Sequence, residues 1–161
     1  MIFVSVGSMM PFDRLIRTVD AWAATHPHIP VLAQIGKGNY EPCHGRFVRM
    51  MSPADYTRAV ADSRLFIAHA GMGSIITAIQ LGKPLLMLAR HRELGEHNSN
   101  HQLATIRNVG NRTGLYHVES QNELGAAIDR LLLVEGDMPT QIAPFASDEL
   151  LDSVRRFVSA D

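Results

Sequence analysis

A chain of 161 residues with 15 Lys and Arg against 16 Asp and Glu is sized for one domain that buries roughly 70% of its unfolded surface. The basic residues are scattered at a net charge of −1, which excludes the electrostatic footprint of a nucleic-acid binder or of a protein held on an anionic membrane. Cys43 is the only cysteine, so an internal disulfide is excluded and a reducing, cytoplasmic compartment is expected.

Strand-like and helix-like segments then alternate along the chain. Residues 2–6 are a short, β-branched apolar run that stops at Gly7. They are no signal-peptide core, and no later stretch approaches the ~20 apolar residues of a spanning helix, so membrane attachment is expected only through a partner. Residues 12–25 carry Phe12, Leu15, Ile16, Val19 and Trp22 at helical spacing. Pro11 suits the first helical position there, and Asp13 the positive end of the helix dipole. A second strand is expected over 31–35, closed by the turn cluster 36–39, and a short third over 47–50. Ser52 and Pro53 read as a cap and first-turn proline of a helix reaching about Ser63.

The fourth strand, 65–68, runs into His69-Ala70-Gly71-Met72-Gly73-Ser74, and a helix over 74–81 ends at Gly82. Pro84 opens the strand 85–88. A polar loop, 89–96, leads to a helix over 98–109 stopped by Gly110. Residues 114–118 read as a sixth strand and 121–133 as a helix. The first 135 residues are thus expected to form the domain. Residues 136–144 then read as a linker and 147–158 as a last helix, packing on the domain or on a partner.

About six short strands alternating with helices imply a single doubly wound, parallel α/β sheet of Rossmann-like type, covered on both faces. A ligand of such a sheet sits beyond the carboxyl ends of the strands, where strand order reverses. The loops 7–11, 36–39, 69–74 and 89–96 belong there, and they are the glycine- and polar-rich parts of the chain.

Three segments are candidates for chemistry. Gly7 and Ser8, at a strand-to-helix turn, let backbone N–H groups approach an anion beside a helix dipole; a tight turn that any such fold needs is the competing reading. In the 69–74 loop the two glycines let the main chain close on a phosphate or ribose, and Ser74 caps the helix or donates to a ligand. His97 and His101 stand four apart on one expected helix face. Asn98 occupies the place where the zinc pattern H-E-x-x-H needs glutamate, so no metal is expected. The dinucleotide fingerprint fails at Ile76, and neither a P-loop nor a G-x-S-x-G elbow is present. Met9, Met10, Met50 and Met51 suit an adaptable contact surface, with core filling as the competing role.

Val4-Ser5-Val6-Gly7-Ser8 with Phe12-Asp13-Arg14-Leu15, then Gln34-Ile35-Gly36, His69-Ala70-Gly71-Met72-Gly73-Ser74, Gly82-Lys83-Pro84 and Asn100-His101-Gln102 resemble the C-terminal domain of glycosyltransferase family 28. The resemblance extends in consistent order over residues 1–132 and is nearest to the small subunits of split GT-B enzymes. Such subunits act in bacterial exopolysaccharide assembly and on dolichol-linked sugars. Gly95-Glu96-His97 ahead of His101-Gln102 looks more like the bacterial group.

The resemblance implies the C-terminal half of a GT-B enzyme, holding a UDP-sugar without cofactor or metal. Carried over by position, Gly7 and Ser8 lie near the diphosphate. Gly36 belongs to the same set of turns, and His69, Ala70, Gly71, Met72, Gly73 and Ser74 wrap the nucleotide. Glu96, His97, Asn100, His101 and Gln102 approach ribose or sugar. Thr77 stands where many members place a ribose-binding glutamate, and a hydroxyl cannot make the bidentate pair. One Rossmann-like domain leaves the acceptor site, the membrane anchor and the general base to a second, membrane-anchored subunit, with His69 as the local alternative for the base. The acceptor implied is a lipid-linked saccharide on a polyprenyl diphosphate, at the inner face of the membrane. A non-catalytic UDP-sugar-binding module that activates a catalytic partner is the alternative.

Overall fold

The computed structural model describes residues 1–110, 112–133 and Asp152. The linker and terminal helix expected over 136–161 lie outside the described residues, Asp152 apart. The strands β1 (Ile2–Ser5), β2 (Val31–Gln34), β3 (Arg46–Val48), β4 (Leu65–His69), β5 (Leu85–Leu88) and β6 (Leu115–Val118) alternate with helices α1 (Asp13–Thr25), α2 (Pro53–Asp62), α3 (Met72–Leu81), α4 (His101–Val109) and α5 (Leu124–Leu133). The strands form one sheet in the order β3-β2-β1-β4-β5-β6, and every neighbouring pair is parallel. The chain winds outward from β1 to β3, then returns to β4 on the other side of β1. The order therefore reverses between β1 and β4, which is where such a sheet opens a crevice.

Period-two alternation sends side chains of the central strands to two separate cores. Ile2, Val4, Leu65, Ile67, Leu86 and Leu88 face the layer of α1 and α5, where they meet Leu15, Val19, Trp22 and Ile128. Phe3, Phe66, Ala68, Leu85 and Met87 face α2, α3 and α4, where they meet Val60, Ile75, Ala78 and Ile106. Burial on both faces explains why β1 and β5 are apolar runs rather than alternating ones.

Local chemistry sets the ends of the helices. The Ser52 side chain accepts a hydrogen bond from Asp55 N–H at 3.1 Å, with Pro53 in the first turn of α2. Gly82, at φ 61°, ends α3 in a Schellman arrangement: its N–H bonds to Ile79 O and that of Lys83 to Ala78 O. Several expected boundaries shift, α3 among them, which begins at Met72 rather than at Ser74. β3 lies at Arg46–Val48 rather than 47–50, because its backbone pairs in register with Leu32–Gln34. α1 begins at Asp13, after Phe12 and Pro11. α4 begins only at His101, after a 3-10 turn over Arg92–Leu94 and a bend. A 3-10 turn over Gln121–Glu123 precedes α5. No helix among the described residues is long and apolar enough to cross a membrane.

Candidate functional site

A cavity of about 590 Å³ opens at the carboxyl edge of the sheet, over the switch between β1 and β4. Of the residues singled out from the sequence, Gly7, Ser8, His69, Gly71, Met72, Gly73, Ser74, Thr77, His97, His101 and Gln102 line it. Gly36, Ala70, Glu96 and Asn100 do not. Gly36, at φ 57°, packs behind the β1 turn, where a Cβ would meet Gly7 O at 3.3 Å. Ala70 is fully buried in the core. Asn100 serves the loop before α4: its carbonyl accepts from Arg92 N–H and its amide donates to Glu93.

His69 ends β4 at the centre of this cavity. Gln102, buried at the start of α4, accepts a hydrogen bond from Arg90 N–H through Oε1 at 3.1 Å. That leaves its amide N–H to face His69 Nδ1, also at 3.1 Å. The ring nitrogen Nδ1 is thereby the acceptor and Nε2 carries the proton. Burial, reinforced by the charges of Arg90, His97 and His101, pushes the His69 pKa down to about 4. At neutral pH the imidazole is an uncharged N–H donor whose one acceptor nitrogen is already taken.

Two glycines make room for this ring. A Cβ on Gly7 would lie 2.7 Å from His69 Nε2, and Gly7 adopts φ 76°, which side chains disfavour. A Cβ on Gly71 would fall on His69 Cε1 and lie 2.7 Å from Nδ1. The Gly7 N–H itself is held by Ser5 Oγ at 3.1 Å. The donors left for an anion lie across the crevice at the start of α3. First-turn N–H groups have no intrahelical acceptor and carry the positive end of the dipole. Here they belong to Met72, Gly73 and Ser74, all lining the cavity. Gly71, not Ser74, is the N-cap, with extended φ −96° and ψ 141°; Ser74 sits buried one turn in. Thr77 Oγ1 donates to Gly73 O at 2.8 Å, so its proton is spent within the helix.

The expected shared helix face of His97 and His101 takes another form. His97 lies in the bend before α4, yet its ring meets that of His101 edge to face with centroids 4.5 Å apart. Burial and the neighbouring His101 and Arg90 hold the His97 pKa below the ordinary imidazole value. Among the described residues no group of three or more His, Cys, Asp or Glu stands within reach of one metal ion.

Glu96 is turned away from the cavity into a half-buried clasp. Its Oε1 and Oε2 accept from Arg14 Nε at 2.7 Å and Arg14 Nη2 at 2.8 Å, and Oε2 also accepts from His91 N–H at 3.0 Å. Sequence reasoning gave no site role to Arg90 or Tyr56 and named Gln34 only within a motif, yet all three line the cavity. Arg90 stands two residues past β5, after the buried Ala89, a position where a charged side chain lies at a strand tip, and that is the signal that marks it. Gln34 ends β2, accepts from Met51 N–H at 3.0 Å and stands 3.5 Å from Gly7 O. Met9, Met10, Met50, Met51 and Met72 complete the wall; Met9, Met50 and Met72 are exposed, whereas Met51 is half-buried and packs against the core beside α2 and α3.

The sheet order, the crevice at its switch point and the glycine-framed strand tips define a Rossmann-like α/β domain equivalent to the C-terminal half of a GT-B glycosyltransferase. The chain belongs to the glycosyltransferase family 28 C-terminal domain family, whose pattern matches residues 1–146. It is 26% identical to the UDP-N-acetylglucosamine transferase subunit ALG13 of Yarrowia lipolytica, over 60% of this chain and 56% of that relative. The chain thus spans little more than half the length of this curated relative. Among solved structures, the solution structure of ALG13 superposes with a TM-score of 0.57 at 18% identity, covering 95% of this chain and 93% of that one. The crystal structure of Os79 from O. sativa in complex with UDP superposes with a TM-score of 0.60 at 18% identity, covering 81% of this chain and 31% of that one. These superpositions establish the fold.

Proposed function

We propose that the chain is the donor-binding subunit of a two-part inverting glycosyltransferase, transferring a sugar from a UDP-sugar to a polyprenyl-diphosphate-linked acceptor in exopolysaccharide or glycolipid synthesis. The observation that carries the reading is the cavity itself. It stands at the switch point, its wall includes the first turn of α3, His69 and Arg90, and among the described residues no carboxylate lines it. Such a wall suits a diphosphate, whose charge is met by helix N–H groups and a neutral imidazole N–H. The UDP-binding relative of the same fold and the relative named as a transferase subunit support the same reading.

In this mechanism an acceptor hydroxyl oxygen attacks the anomeric carbon from the face opposite the diphosphate. A carbon–oxygen bond forms as the bond from carbon to the β-phosphate oxygen breaks, and configuration inverts. The bonding pair leaves with UDP, where the α3 dipole and His69 Nε2–H stabilise it. The hydroxyl proton passes to a general base. With Nδ1 bonded to Gln102 and Nε2 protonated, His69 is a poor candidate for that base. The base is therefore assigned to the membrane-anchored second subunit, together with the acceptor site and the attachment to the inner face of the membrane.

The test is calorimetric titration of UDP into the purified chain in chelator, followed by reconstitution with the product of the neighbouring open reading frame. Binding of UDP by the chain alone, with sugar transfer only by the pair, is the expected result. Absence of heat at saturating UDP would overturn the donor assignment. Full transfer to a lipid acceptor by the chain alone would overturn the division of labour.

A further inference from the structure

Arg90 is buried, 2% exposed, with its guanidinium at the meeting point of the two loops that frame the cavity. Its Nη2 donates to Val6 O at 2.6 Å and Met10 O at 2.7 Å. Its Nη1 donates to Pro11 O at 2.9 Å and Glu96 O at 3.1 Å. The guanidinium carbon lies 5.0 Å from the centroid of the Phe12 ring. The buried Nε has no partner. Through its main-chain N–H the same residue fixes the Gln102 amide that sets the His69 tautomer.

Burying a cation is costly, and four carbonyl acceptors, an aromatic ring and the nearby Glu96 carboxylate offset only part of that cost. The arrangement does something an apolar residue at this strand tip would not. It pulls the carbonyls of the β1–α1 loop and of the bend before α4 toward one point. A carbonyl pinned in this way fixes the plane of its peptide. The guanidinium thus sets the path of the 7–11 loop beside His69 and the path of the bend that carries His97.

We infer that Arg90 is the positioning residue of the site: its buried guanidinium holds the 7–11 loop and the bend at 96–97 in their binding geometry, while its main-chain N–H, through Gln102, holds His69 as an Nε2–H donor. The inference rests on the donor-site reading above. It assigns Arg90 no contact with the diphosphate, since each terminal nitrogen is occupied by carbonyls and the orphaned Nε is itself buried.

Arg90→Lys keeps the charge but cannot span four carbonyls from one ammonium. Arg90→Gln removes the charge as well. Three measurements test the assignment. In the wild-type chain without ligand, NMR at low temperature is expected to resolve separate, slowly exchanging guanidinium protons for Arg90; a single averaged signal would overturn the pinning. In Arg90→Lys, hydrogen exchange is expected to rise at least tenfold for residues 7–10 and 97, with the amides of β1 and β4 unchanged. In both variants UDP affinity is expected to fall at least tenfold while uridine affinity stays within twofold. A merely structural arginine would lower the two affinities in proportion, and that result, or wild-type UDP affinity in Arg90→Lys, would overturn the inference. Failure of the wild-type chain to bind UDP would instead remove the donor reading, and the NMR and exchange results would still decide whether Arg90 organises the loops.

Discussion

Gln102 and His69, 33 positions apart in the chain, are joined by a 3.1 Å hydrogen bond that settles which imidazole nitrogen is available. The amide oxygen is committed to Arg90 N–H, so the amide nitrogen must be the donor and Nδ1 the acceptor. Buried and beside Arg90, the ring stays neutral down to about pH 4.

A pH dependence of stability follows. The folded-state pKa of about 4 lies below the value near 6.5 of the unfolded chain. Between these two pH values the unfolded state binds more protons than the folded one. The contribution of His69 is therefore fully present above pH 6.5 and is lost as pH falls toward 4. For a half-buried ring at the cavity wall, with solvent screening discounted, this amounts to about 2 kcal/mol. Urea unfolding at pH 7, 5.5 and 4.5 should show the wild-type chain losing more stability than His69→Gln over that interval, the difference in slope being the quantity to read. Parallel slopes for the two proteins would mean that His69 titrates normally.

The two glycines of the 69–74 loop should respond in opposite ways to alanine. At Gly71 the added methyl collides with His69, so the ring must leave Gln102 or the helix start must shift. A loss of about 2 to 4 kcal/mol is expected in Gly71→Ala, comparable to overpacking and breaking a buried polar pair together. At Gly73, inside the first turn of α3, a Cβ meets nothing within 4 Å. Gly73→Ala should raise stability by roughly 0.5 to 1 kcal/mol, the usual helix-interior preference. Because Gly73 lines the cavity, the same variant should bind UDP more weakly despite its higher melting temperature. Chemical denaturation and calorimetry of the pair check both signs.

The contrast between these glycines also shows what the sequence makes legible. Apolar runs such as 2–6 and 85–88, each ending at a glycine or a polar loop, locate the strands and hence the parallel sheet, because burial on both faces leaves little else they can be. Strand tips then place His69, Gly71 and Ser74 on one edge. What periodicity does not carry is direction across space. Glu96, polar and next to His97, looks like a ligand group, yet it turns to Arg14, 82 positions away in the chain. Arg90 looks like one more loop cation, yet it is buried because four carbonyls converge on it. The His97 bend defeats the helix pattern because Glu96 and Asn100 hold the preceding turn through His91 and Arg92 N–H.

The Arg14–Glu96 clasp supplies the last prediction. Both carboxylate oxygens are engaged by one guanidinium, with side chains only 17% and 11% exposed, and Arg14 Nη2 also donates to Ala89 O at 2.9 Å. The Arg14 guanidinium carbon lies 5.2 Å from the Phe12 ring that also attracts Arg90. Removing one partner leaves the other charge shielded from water and unpaired, so Arg14→Met and Glu96→Gln should each cost about 2 to 4 kcal/mol. The double variant should cost clearly less than the sum, with a coupling of about 1 to 2 kcal/mol in a double-mutant cycle by urea unfolding. If Glu96 acts only by holding the 89–96 loop, the two single variants should weaken UDP binding to the same degree, because each opens the same clasp. Weakening confined to Glu96→Gln would instead mean that this carboxylate leaves Arg14 to meet the ligand, and the clasp would then be a resting state of the site rather than its frame.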